Sequence, residues 1–150
     1  MSVTTSKALD PWPVVRPGDR FHPVGTLQHL LNEHGHDLEV DEKFGPLTEA
    51  AVRASQRDFG LEVDGVVGPR TWGAIVVTVR LGSRGHAVRG AQSELDVRTD
   101  FDLVVDGVFG PKTESAVRGF QRALSAFGVL VDGVVGPVTW RALVSGMVSD

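Results

Sequence analysis

Asp132-Gly133-Val134-Val135-Gly136-Pro137-Val138-Thr139-Trp140 decides how this chain folds, because the phrase or a close relative of it occurs four times. Asp64-Gly65-Val66-Val67-Gly68-Pro69-Arg70-Thr71-Trp72 is the nearest copy; Asp106 to Thr113 and Asp41 to Thr48 keep the skeleton without the Trp. Asp bonds its own downstream backbone and Gly accepts positive φ, so Asp-Gly makes a tight turn. Gly-Pro then suits a helix start, with Gly at the cap and Pro at the first helical position, where a missing N–H costs nothing. The phrase predicts helices joined by short ordered turns.

Working outward, the repetition spreads beyond the turns. Arg16 aligns with Arg80, Gly18 with Gly82, Arg20 with Arg84, His22 with His86 and Val24 with Val88. A chain of 150 residues would ordinarily suggest one domain, but the duplication divides it in two. We expect an N-terminal arm over 1–13, a first repeat over 14–78 and a second over 79–150. Units of about 65 residues sit near the lower limit for an independent core, so the halves should dock on one another or be marginal alone. In the arm, Trp12 is either pinned to the body or exposed.

In each repeat the spacing predicts three helices. The first runs from Val24 to Glu33, with Val24, Leu27, Gln28 and Leu31 on one face and Gly35 beyond its end; Val88, Ala91, Gln92 and Leu95 mark its partner. The second opens at Pro46 or Pro111, with Glu49 or Glu114 in the first turn, where the helix dipole favours a carboxylate. Gly60 and Gly128 read as left-handed stops. The second repeat carries extra residues over 123–126, which predict a helix about one turn longer. The third runs Pro69 to Val76 or Pro137 to Val144, with Trp72 and Trp140 facing inward.

The pattern resembles the three-helix peptidoglycan-binding domain attached to bacterial and phage cell-wall hydrolases. Asp106 to Gln121, with Gly128, Val129 and Asp132 to Trp140, follows that family's pattern nearly throughout. The first repeat carries Leu27-Gln28, Phe44-Gly45, Thr48, Ala51-Val52, Gln56, Gly60-Leu61 and Asp64 to Trp72. The resemblance covers most of the chain, twice over, and implies an all-α fold of two tandem three-helix units with ordered Asp-Gly turns. Three positions depart from the pattern. Glu42 replaces the turn Gly, Ser55 a core Phe and Ala91 a Leu. Ser55 leaves room for an aromatic ring unless another side chain enters, such as Trp12.

Composition excludes several function classes. The chain is 41% hydrophobic and 23% charged with net charge −4, without the basic excess of a nucleic-acid binder. It lacks cysteine, hence disulfides and thiolate metal sites. No segment reaches membrane-spanning length, and Met1 to Asp10 lacks the apolar core of a secretion signal. A wall-binding role places the chain outside the cytoplasm; the missing signal leaves a cytoplasmic location open.

No catalytic constellation emerges, and no cofactor is expected. His34 and His36 with Asp37 offer metal-ligand atoms, but the second repeat has no counterpart, and we expect no metal. His22 and His86, at matched positions, predict a shared structural or capping role. Glu49 and Asp64 belong to the turn phrases, so a glycosidase carboxylate pair is not needed to explain them. The Asp-Gly turns lack the ligand alternation of a calcium loop.

For binding, Arg53 and Arg57 recur as Arg118 and Arg122 on the second helix of each repeat. One reading has these arginines recognise the carboxylates of peptidoglycan stem peptides through bidentate hydrogen bonds; the other has them solvate a helix flank beside Glu49, Asp58 or Glu114. Gln56 and Gln121 join the candidate ligand-binding set, with a role in tying the turn backbone. Trp72 and Trp140 read as core rather than sugar platforms. The resemblance places any groove where the second and third helices meet the turns. The resulting expectation is a non-enzymatic protein that binds peptidoglycan, by glycan strand or stem peptide. Its rivals are a protein-interaction module on the same fold and the targeting part of a wall hydrolase.

Overall fold

A computed structural model describes residues 8–145, 148 and 149. Six α-helices carry the fold: α1 (Val24–Glu33), α2 (Pro46–Asp58), α3 (Pro69–Ile75), α4 (His86–Arg98), α5 (Pro111–Ala123) and α6 (Pro137–Val144). The only strands among the described residues are β1 (Ala8–Leu9) and β2 (Val148–Ser149), an antiparallel pair two residues long that brings the two ends of the chain together. The fold is all-α, with three helices per repeat.

Gly-Pro starts α2, α3, α5 and α6 in the same manner. Gly45, Gly68, Gly110 and Gly136 hold extended backbone, and the proline follows as the first helical residue. Gly60 and Gly128 adopt φ of +69° and +85° as the helical segments end. One expectation fails. α2 and α5 are both 13 residues long, so the extra residues of the second repeat do not lengthen its helix. They form a separate 3₁₀ turn, Ser125–Phe127, because the α-helical ladder stops at Leu124, whose N–H turns to Gln121.

Before its first helix, each repeat threads an extended segment past its own two turns. Val15 and Val67 exchange backbone hydrogen bonds at 3.0 and 2.7 Å, as Val79 and Val135 do at 3.1 and 2.9 Å. Arg20 likewise pairs with Lys43, and Arg84 with Val108. These bridges hold the turns against the body.

A single apolar core runs through both repeats. Trp72 and Trp140 lie at its centre, fully buried, which fits the core reading and leaves no ring face for a sugar. Each indole N–H finds a carbonyl: Trp72 donates to Pro13 and Trp140 to Val77, both at 2.8 Å. Trp12 is pinned: its ring stacks on Trp72 at 5.9 Å with 13° between planes. Residues 1–7 of the expected arm lie outside the described residues, as do 146, 147 and 150. Ser55, buried where the second repeat has Phe120, faces the imidazole of His36 at 3.4 Å.

The repeats join along α1 and α4. Small residues let the helices approach: a Cβ on Gly90 would stand 3.2 Å from the His29 Cβ, and Ala91 is fully buried. Polar contacts flank the seam. Glu94 of α4, only 5% exposed, accepts hydrogen bonds from Thr26 Oγ1 at 2.7 Å and His22 Nε2 at 2.9 Å. Glu33 accepts from the Ala87 N–H at 2.9 Å, at the start of α4.

Candidate functional site

Each of the four turns is built around a buried glutamine, and the four sets of bonds nearly coincide. Gln56 Nε2 donates to Asp64 Oδ1, to the Val66 carbonyl and to Thr71 Oγ1 at 3.0–3.1 Å, while its Oε1 accepts from the Asp64 and Gly65 N–H groups. Gln121 makes the same contacts with Asp132, Val134, Thr139 and Gly133. Gln28 and Gln92 serve the first turn of each repeat, reaching Asp41, Lys43 and Thr48, or Asp106, Val108 and Thr113. One amide thereby fixes a turn to the helix before it and to the helix after it.

Gln56 and Gln121, the glutamines of the candidate ligand-binding set, are held within these turns. Both are 1% exposed, and both ends of each amide are engaged within the protein. They shape the turns, and Gln56 also lines a groove beside its own turn. The aspartates share that role: hydrogen bonds from the Val66 N–H and then Gln56 hold the Asp64 carboxyl below its ordinary value, and the Val108 N–H and Gln92 do so for Asp106. At Asp41 the Gln28 amide acts first, then the Lys43 N–H.

Three turns are also capped by an arginine one helical turn before the glutamine. Arg53 reaches the Val63 and Asp64 carbonyls at 3.3 and 3.4 Å, Arg89 reaches Val105 at 3.2 Å, and Arg118 reaches Val131 at 3.4 Å. A Cβ on Gly65, Gly107 or Gly133 would come within 3.1 Å of that guanidinium, so the turn glycine makes room for it as well as taking φ near +75°. Arg53 also pairs with Glu49 at 3.0 Å, and Arg118 with Glu114 at 4.0 Å. Arg57 and Arg122 lie one turn further on, exposed.

A groove opens beside the second turn of each repeat, against the start of the third helix. In the first repeat it measures about 520 Å³ and is lined by Val14, Leu61, Glu62, Asp64, Pro69 and Arg70. In the second it measures about 270 Å³, with Val129, Leu130, Asp132, Pro137 and Val138 in the corresponding places. Glu62 and Arg70 give the first groove a charge of each sign, whereas Leu130 and Val138, 76% and 51% exposed, make the second mostly apolar. None of the four candidate arginines lines either groove. Glu62 and Arg70 escaped notice because they do not recur between the repeats.

The histidines diverge. His22 lies in the seam, where its hydrogen bond to Glu94 raises its pKa against the opposing pull of burial and of the Arg98 charge. His86 opens α4 and is exposed, so the matched positions do not share a role. His34 bonds the Ile75 carbonyl at 2.8 Å and packs edge-on to Phe59, while His36 turns to Ser55. Both imidazoles therefore link parts of the first repeat.

Both repeats match known proteins in sequence. The family described as "Putative peptidoglycan binding domain" matches at residues 22–75 and again at 84–143. The zinc D-Ala-D-Ala carboxypeptidase of Streptomyces albus G is 46% identical over 41 residues, 27% of this chain and 16% of that enzyme. The spore cortex-lytic enzyme of Halalkalibacterium halodurans is 40% identical over 70 residues, 46% of this chain and 21% of that enzyme. This chain thus spans at most about a fifth of either. A solved peptidoglycan-binding protein from Clostridioides difficile, in complex with glutamine hydroxamate, is 37% identical over 40% of this chain and 38% of that one, with a TM-score of 0.39. With both halves matched over most of their length, the chain belongs to the peptidoglycan-binding domain family and carries that domain twice.

Proposed function

We propose that this protein is a non-catalytic binder of bacterial cell walls, with one peptidoglycan-binding groove in each repeat. The observation that carries the reading is the recurrence of one groove, beside the second turn, in both copies of the family domain. The polar side chains around it serve the fold: glutamine, aspartate and threonine are bound to one another within each turn, which suits a rigid surface that grips rather than a centre that reacts. The boundaries of the two units are proposed at 14–78 and 79–150. The place of action is the cell wall, outside the cytoplasm.

The stem peptide is the favoured part of the polymer for the first groove. Arg70 offers a guanidinium to a carboxylate and Glu62 a carboxylate to an amine, and a stem peptide presents such groups. Exposed Arg57 and Arg122 extend the cationic surface of α2 and α5, while Arg53 and Arg118 hold the turns. Two grooves in one body raise avidity for a polymer even where each binds weakly.

Soluble muropeptides tested on the Arg70→Ala and Glu62→Gln variants check this assignment. Weakened binding by both, with unchanged thermal stability, supports it; unchanged binding by both overturns it. The apolar second groove favours one further reading, a protein partner held at Leu130 and Val138. A Leu130→Ser variant that releases a protein from extracts while still binding walls would establish it.

A further inference from the structure

The first turn breaks the pattern of the other three by exchanging its two key residues. Gly25 stands where the others have arginine, and Glu42 stands where they have glycine. The exchange is reciprocal in space: the Glu42 Cγ lies 3.2 Å from the point a Gly25 Cβ would occupy. Glu42 keeps the left-handed turn, at φ +61°, a conformation that costs a residue with a Cβ about 1–2 kcal/mol. Its N–H is held by Gln28 Oε1 at 3.0 Å.

Without the arginine cap, a cavity of about 500 Å³ opens at the seam between the repeats. Gly25 and His29 of α1, Val40 and Glu42 of the turn, and Glu94 and Val97 of α4 line it. Asp41 adds a third carboxylate to the rim. The Arg98 guanidinium is drawn to Glu94 and to the Ser145 carbonyl. Glu94 is engaged by Thr26, His22 and Arg98, but Glu42 is exposed and makes no hydrogen bond with its carboxylate among the described residues. His29 Nδ1, by contrast, is buried without a partner. Val40 and Val97, 39% and 84% exposed, add apolar surface to the walls.

We propose that this cavity binds an alkylammonium group of the kind borne by a diamino-acid side chain. The ammonium meets the Glu42 and Asp41 carboxylates, and its methylene stem lies on Val40 and Val97. The site is separate from the two grooves and does not rest on wall binding, since a small amine suffices to test it.

The test is a titration of the isotope-labelled protein with Nα-acetyl-lysine methylamide, followed by amide chemical shifts. Parallel arms use the norleucine and glutamate analogues. Saturable shifts at Gly25, Glu42 and Val97 with the lysine compound alone are expected. The double variant Gly25→Arg, Glu42→Gly restores the pattern of the other three turns, and it should weaken binding about tenfold. Glu42→Gln, which keeps the side chain's shape, should also weaken it. Equal shifts with norleucine or glutamate overturn the proposal, as does undiminished affinity in both variants.

Discussion

Thr26 Oγ1, in the first repeat, donates to Glu94 Oε2, in the second, at 2.7 Å, and this carboxylate is the polar centre of the seam between them. With His22 and Arg98 on the same carboxylate, the repeats are joined by a network across a continuous apolar core. Removing the carboxylate takes the counter-charge from Arg98 and the acceptor from the Thr26 hydroxyl. Glu94→Ala should therefore destabilise the protein by about 2–4 kcal/mol, and Thr26→Val by about 1 kcal/mol, in urea unfolding. Two separate transitions in the wild-type protein, with Glu94→Ala affecting neither, would contradict a shared core.

The glutamine hubs predict a second set of losses. Gln56→Leu or Gln121→Leu strips five hydrogen bonds from a turn and leaves its N–H groups facing an apolar side chain. Each should cost about 2–4 kcal/mol and broaden the amide signals of its own turn, with the other repeat's turns unchanged. A loss under about 0.5 kcal/mol would show that the hub is incidental.

Stability should depend on pH through two histidines of opposite sign. Burial, then the nearby His86 and Arg89 charges, push His29 down from 6.5 to about 4. The unfolded chain thus takes up a proton that the folded one refuses, and stability present above 6.5 is lost as pH falls toward 4. Discounted for partial exposure, the loss is about 1–2 kcal/mol, and His29→Gln should flatten it. His22, raised by Glu94, runs the other way: its contribution is complete below 6.5 and fades as pH rises through the raised value. Urea midpoints from pH 4 to 8 should therefore peak between these limbs, and a monotonic profile would contradict the pair.

Trp12 provides a separate probe of the N-terminal segment. Its stacking on Trp72 should contribute about 1 kcal/mol, so Trp12→Ala should lower the melting temperature and alter near-ultraviolet dichroism. An unchanged spectrum would remove the stack.

The helices were legible in the chain because Gly-Pro and Asp-Gly act locally: each phrase fixes its own backbone whatever surrounds it. Gln56 and Gln121 were legible as turn anchors for the same reason, being repeated at fixed distance from the Asp. The seam was not. His22 and Glu94 are far apart in sequence, and neither belongs to a repeated contact, since α1 meets α4 only once. Glu42 stood out as a departure, but its meaning needed Gly25 beside it, and the arginines at 53, 89 and 118 were the available signal. The 3₁₀ turn over 125–127 was missed because added residues lengthen a helix or form a turn depending on packing, not on their number.

Co-sedimentation with purified, insoluble peptidoglycan tests the central claim most directly. The account predicts saturable pelleting of the intact protein, weakened by Arg70→Ala and unaffected by a surface change remote from both grooves, such as Lys112→Ala. Pelleting no greater than that of an unrelated acidic protein, with walls from several bacteria, would contradict it.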